Sequence, residues 1–213
     1  MKRSRTSRER PGIPPSLEQA HAIDAGGLTR LEELCAANLD FSGQCLRTVS
    51  ARSSVFDGVS FSGCTIAGLR LRDVRMIRCD LSNAEVRAFD ARRVEFIECR
   101  LTGLHAFECR WQDVLVENCL ARYAQFNDGL LTLAEFRSSH FDDSDFRGAD
   151  LSGAIFDQVA LTRADLTEAR LEGADLRRAE LEEIVARAED VRGAIVTPAQ
   201  AMGLARLLGL DIR

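Results

Sequence analysis

The chain is short of what an enzyme, a membrane protein or a secreted protein would need. Lys2 is the only lysine among 213 residues, so arginine carries nearly all the positive charge. No apolar run approaches the roughly 18 residues of a membrane-spanning helix. The opening, MKRSRTSRERPGIPP, is basic but lacks the apolar centre of a secretory signal, which predicts a cytoplasmic location. Seven cysteines form no CxxC pair. His21, His105 and His140 have no companion at triad or metal spacing. These gaps exclude the common catalytic constellations. No enzyme activity, metal, cofactor or small-molecule substrate is expected.

What is present is unevenly charged. The net charge is −5, yet residues 1–10 carry +4, five basic groups against one acid, so the remainder carries −9. Residues 61–120 balance nine arginines against nine acids. Residues 141–190 hold fourteen acids and six arginines, a net of −8. A folded nucleic-acid binder usually has the opposite sign, so no direct nucleic-acid contact is expected. Residues 1–15 read as a disordered, solvated basic tail.

Hydrophobic residues make up 46% of the chain, enough for one core. Their spacing is unusual. Stepping by five from Phe41 to Leu181 visits 29 residues, and all are apolar. Nine of the eleven phenylalanines fall in this register. A helix would rotate such a stripe away by about 140° per repeat. A strand would throw successive members to opposite faces. Two residues before the stripe runs a smaller apolar set that includes Cys64, Cys79, Cys99, Cys109, Cys119, Ala149 and Ala164. Two residues after it come Gly43, Gly58, Gly63, Gly68, Gly103, Gly148, Gly153 and Gly173, where a tight turn would take a positive φ. One path fits. Each five-residue unit forms one side of a square coil, and twenty residues close a turn. Position i then lies over i+20, about 4.8 Å away. One interior ladder reads Phe56, Met76, Phe96, Val116, Phe136, Phe156, Leu176. The fold expected is an all-β, quadrilateral parallel β-helix of about seven to eight coils, a solenoid stabilised by stacking.

The units ADLSG, ADLTE, ADLRR and SDFRG resemble the pentapeptide-repeat family, whose consensus is A(D/N)LXX. The match is strong over 144–183 and stays in register, though degenerate, back to about residue 39. The resemblance implies a right-handed quadrilateral β-helix over 31–196.

Open solenoid ends need caps. Residues 16–30 are expected to form the N-terminal one, with a short helix over 16–23 capped by Ser16. At the other end, over 197–213, Thr197 reads as an N-cap, Pro198 as the first helical residue and Gly209 as the C′ residue. Ala201, Leu204, Ala205, Leu207 and Leu208 make an apolar stripe, followed by Leu210 and Ile212 in a short extended tail. The segment either covers the last coil or also pairs with a second copy. It resembles the C-termini of gyrase-protecting pentapeptide proteins, and the resemblance implies end-to-end homodimers.

The ladder places Cys79, Cys99 and Cys119 on one inward line, which makes them small core residues; Cys35 and Cys45 are the more reactive candidates. Asp145, Asp150, Asp165 and Asp175 precede the central residue and are expected to satisfy turn groups. Asp142, Asp143, Asp157, Glu168, Glu172, Glu182 and Glu183 follow it and are expected to be freely exposed, as an acidic partner-binding face. Ile77, Ile97 and Phe107 point outward as an apolar partner strip. Leu115, Leu120 and Leu130 also fall at nominally outward places.

Two functions compete: a non-catalytic rod modulating a type II topoisomerase, and a scaffold for another cytoplasmic protein. The family resemblance supplies the first, through members that protect DNA gyrase or topoisomerase IV as acidic, DNA-mimicking dimers. A dimer of about 80 Å would replace duplex bearing about 47 charges. This chain offers about −18 per dimer without its tails, so the mimicry is dilute. The quinolone-resistance members carry loop insertions needed for protection. An unbroken register makes this chain resemble the loop-free type.

Overall fold

The computed structural model describes residues 8–20 and 28–208, and it stacks the five-residue units as the period requires. Strand pairing is parallel at an offset of twenty. Leu46 pairs with Ile66, Leu69 with Phe89, Ala91 with Trp111 and Phe136 with Phe156. The strands described run from Glu18–Ala20 to Asp175–Glu180 in one continuous sheet. The first side of the coil is centred on Phe41, Phe61 and Leu81, the second on Leu46, Ile66 and Val86. The third is centred on Ala51, Leu71 and Ala91, the fourth on Phe56, Met76 and Phe96.

The inward stripe is the core. Every member of the five-residue register from Phe41 to Leu176 is buried, and Leu181 at the open end is partly so. Aromatic rings stack along the axis, Phe136 over Phe156 at 4.8 Å and Phe126 over Phe146 at 5.3 Å. Others close across the interior, such as Phe96 against Trp111 at 5.4 Å. Each such ring contributes about 1.5–3 kcal/mol by burial. Where the small inward place is polar, the coil below satisfies it: the Cys119 N–H donates to Ser139 Oγ at 3.0 Å.

Corners turn through left-handed residues. Gly43, Gly103 and Gly153 do so, but so do Asn83, Tyr123, Asp143 and Arg163. Gly68 does not. It lies inside the 13-residue strand Thr65–Ile77, beside Thr48, where two sides join as one bent strand. The expected turn at Gly68 is therefore replaced by extended backbone.

Both caps differ from expectation. Residues Glu18–Ala20 are a strand, not a helix, pairing with Leu34–Ala36 at an offset of sixteen. The open first coil presents unpaired strand groups, and this short rung takes them up. Residues 21–23 lie outside the described residues. At the C-terminal end the helix is Pro198–Leu204, followed by a 3-10 turn over Ala205–Leu208. Its capping box is Thr197 with Gln200, and Gln200 Nε2 donates to the Leu176 and Ala179 carbonyls at 2.7 and 2.8 Å, tying helix to last coil. Gly209 lies outside the described residues.

The basic tail is the larger correction. Residues 8–14 have no regular secondary structure, yet at least 8–12 lie along the coil, crossing from one turn to the next. The Gly12 N–H donates to Asp73 Oδ1 at 3.0 Å, and the Glu9 N–H to Asp113 Oδ1 at 3.0 Å. Arg8 pairs with Glu95 at 3.0 Å and lies 3.8 Å from Glu135. This strap buries Arg8 beside carboxylates that would otherwise face solvent. Over residues 8–12, charge complementarity with an acidic corner replaces the expected solvated state.

Candidate functional surface

The coil is filled with side chains, so chemistry is confined to its outside. The consensus aspartates do the local work expected: Asp150 Oδ1 accepts from Ser152 N–H at 3.0 Å and Asp165 Oδ1 from Thr167 N–H at 2.9 Å. The cysteine ladder is internal, and Cys64, Cys79, Cys99, Cys109 and Cys119 are all buried. A hydrogen bond from Cys99 together with desolvation pushes the Cys79 thiol far up, and burial does the same to Cys109. Cys45 is exposed and Cys35 half-buried, as expected. Among the described residues, no group of three or more His, Cys, Asp and Glu is arranged to hold a metal. None of the described helices is long and apolar enough to cross a membrane.

The seven acids offered as one face do not share one. Asp142 and Glu182 lie on the first side and Asp143 and Glu183 at its corner, with one coil between the pairs. Asp157 lies on the fourth side, Glu172 on the third and Glu168 at the corner before it. Nor are all free. Asp142 is buried and pairs with Arg122 at 3.2 Å, with His140 Nδ1 at 3.6 Å. Asp143 pairs with Arg163 at 2.7 Å, which holds its carboxyl below the usual range. Asp157 meets Arg178 at 2.9 Å and Glu168 meets Arg187 at 3.7 Å. An arginine within one coil neutralises an acid that the sequence alone leaves exposed. Glu172, Glu182 and Glu183 are exposed and outside any ion pair among the described residues. Glu180, which the sequence reasoning passed over, is exposed and unpaired too, beside Glu182 on the last full coil.

Ile77 and Ile97 are register partners as the ladder requires, each half-buried, with Asp57 and Glu117 continuing the line. Phe107, on the second side, is 48% exposed and packs edge-on to His105 at 6.0 Å. Phe107 and the isoleucine pair therefore lie on different sides. Leu120 and Leu130 are exposed, whereas Leu115 is buried on the corner that the strap crosses. On the helix, Ala201 is exposed and Leu204, Ala205 and Leu207 are half-buried; Met202, not foreseen, is 58% exposed. Leu210 and Ile212 lie outside the described residues, and Leu208 falls in the 3-10 turn.

The profile described as pentapeptide repeat region matches residues 69–146, and that of pentapeptide repeats in eight copies matches 144–182. This chain belongs to the pentapeptide-repeat family. Among solved structures it is similar to two trypsin-treated point variants of QnrB1, a plasmid-mediated fluoroquinolone resistance protein. One is 27% identical with a TM-score of 0.44, covering 86% of this chain and 90% of that one. The other is 26% identical with a TM-score of 0.45, covering 93% and 98%. HetL, a pentapeptide-repeat protein of heterocyst differentiation regulation from the cyanobacterium Nostoc sp. strain PCC 7120, is 21% identical with a TM-score of 0.37 over 78% and 84%. No curated protein matches the chain.

Proposed function

We propose that this pentapeptide-repeat protein is a non-catalytic rod that binds a protein partner, and that the partner is a type II topoisomerase, DNA gyrase or topoisomerase IV. The observation that carries it is the cluster of unpaired carboxylates Glu180, Glu182 and Glu183 on one side of the last coil. Further up the rod arginines hold many of the acids in close ion pairs; here none of the described ones comes within ion-pair distance, with Arg163 acting on Glu183 only through space and Arg206 lining the same cleft as Glu182 and Glu183. A basic DNA-binding saddle would be attracted to that end. The C-terminal helix docks a second copy through Ala201, Leu204, Ala205, Leu207 and Leu208, with Leu210 and Ile212. A two-fold axis there would place two such clusters side by side. The apolar pair Ile77–Ile97 favours a second reading, a scaffold for another protein.

The test is supercoiling by purified gyrase, with and without a fluoroquinolone, as the protein is titrated. Inhibition or drug rescue at micromolar protein is expected, and Glu180→Lys, Glu182→Lys and Glu183→Lys together should abolish it. Reversing the buried Asp142 should instead damage the fold, because it serves Arg122. No effect at tens of micromolar folded protein would leave the scaffold reading.

A further inference from the structure

Charge totals along the chain hide a separation between sides. On the third side, Arg52, Arg72 and Arg92 are register partners on three successive strands. In the column two residues away, Arg70 and Arg110 flank Asp90. All five arginines are exposed. Arg52, Arg70, Arg92 and Arg110 have no ion pair among the described residues, and Arg72 only reaches Asp73 at 3.8 Å. They wall an open trough of about 750 Å³. Elsewhere the chain answers stacked charge with an opposite partner one coil away, as in Arg93–Asp73 and Arg163–Asp143. Here only Arg52, Arg72 and Arg92 repeat like charge about every 4.8 Å, with Glu32 at the end of their column, while in the column about 6.6 Å away Asp90 separates Arg70 from Arg110. Such stacking is destabilising unless an anion lies across it.

We infer that this arginine-walled trough on the third side binds the sugar–phosphate backbone of duplex nucleic acid. Guanidinium forks donate to phosphate oxygens in pairs. A protein partner would need apolar or aromatic anchors. The trough has only Leu130, exposed at its far edge, while Ala51, Leu71 and Trp111 beneath it are buried. No exposed aromatic among the described residues is there to stack on unpaired bases, which points to a duplex and to sequence-independent contact. The acidic 141–190 segment repels the same ligand, so the duplex is confined to the N-terminal half of the rod. The inference is independent of the topoisomerase reading.

Fluorescence anisotropy with a labelled duplex of about 20 base pairs tests it. Micromolar binding is expected at about 50 mM salt, with log K falling against log salt at a slope of about −4.5 for about five phosphates. Arg72→Glu with Arg92→Glu should weaken binding at least tenfold. Arg47→Glu with Arg87→Glu, the same charge change on the second side, should weaken it much less. Equal loss in both pairs, equally tight binding of poly-glutamate, or no binding at about 100 µM of folded protein would each overturn the proposal.

Discussion

A left-handed corner is cheap for glycine and costs other residues about 1–2 kcal/mol, less for asparagine, whose side chain bonds locally. Tyr123 occupies one at φ 59° with 58% of its surface exposed. Its ladder neighbours one and two coils up are Gly103 and Asn83, both left-handed. The ring gains little contact in return for the strain. Tyr123→Asn is therefore expected to raise stability by about 0.5–1 kcal/mol, read as a higher midpoint in urea unfolding. A lower midpoint would mean that the ring packs more than its exposure indicates. Residues of this kind also show what a sequence conveys. The inward ladder was legible because one chemical property recurs at one spacing. The acids were not, because each pairing depends on where an arginine sits in the neighbouring coil. Asp142 and Glu182 occupy equivalent places; Arg122 lies one coil above Asp142, while Thr162 takes that place above Glu182.

Among the elements, the strap is held by carboxylates, and Asp73 fastens its Gly12 end. Burial raises the Asp73 pKa, but the bidentate Arg93 contact and the Gly12 N–H outweigh it, leaving the carboxyl below its ordinary value. A depressed pKa stabilises the docked state above the ordinary carboxylate range near pH 4. That stabilisation is lost as pH falls through the lowered value. Hydrogen exchange at the Gly12 amide should thus show protection near neutrality that disappears below about pH 4, before the core amides of Thr65–Ile77 open. Protection unchanged down to about pH 2 would refute the Asp73 latch. The strap was hidden in the sequence because its contacts, Gly12 with Asp73 and Arg8 with Glu95, follow no period. The short rung Glu18–Ala20 was hidden for a similar reason, since it pairs at sixteen residues instead of twenty.

For the whole molecule the matter of assembly reduces to a few side chains. The helix Pro198–Leu204 has no buried residue of its own, and Leu181 and Ile184 on the last coil are only partly covered. A cleft of about 330 Å³ between helix and coil is lined by Leu181, Ile184, Leu204 and Leu207. A second copy covering this end would complete the burial. Light scattering is expected to give twice the chain mass, and Leu204→Glu with Leu207→Glu to give a monomer that keeps its β-sheet circular dichroism. A monomeric parent would assign the helix to capping alone.

In a stack of repeats each coil senses only the ones above and below, so such rods can fray turn by turn from either end. The strap adds a bond of another order. By joining Gly12 to Asp73 and Glu9 to Asp113, with Arg8 on Glu95 of the coil between, it fastens two coils that are not neighbours in the stack. It runs across the turns like the stitching on the spine of a book, and the middle of the rod opens as one leaf or not at all.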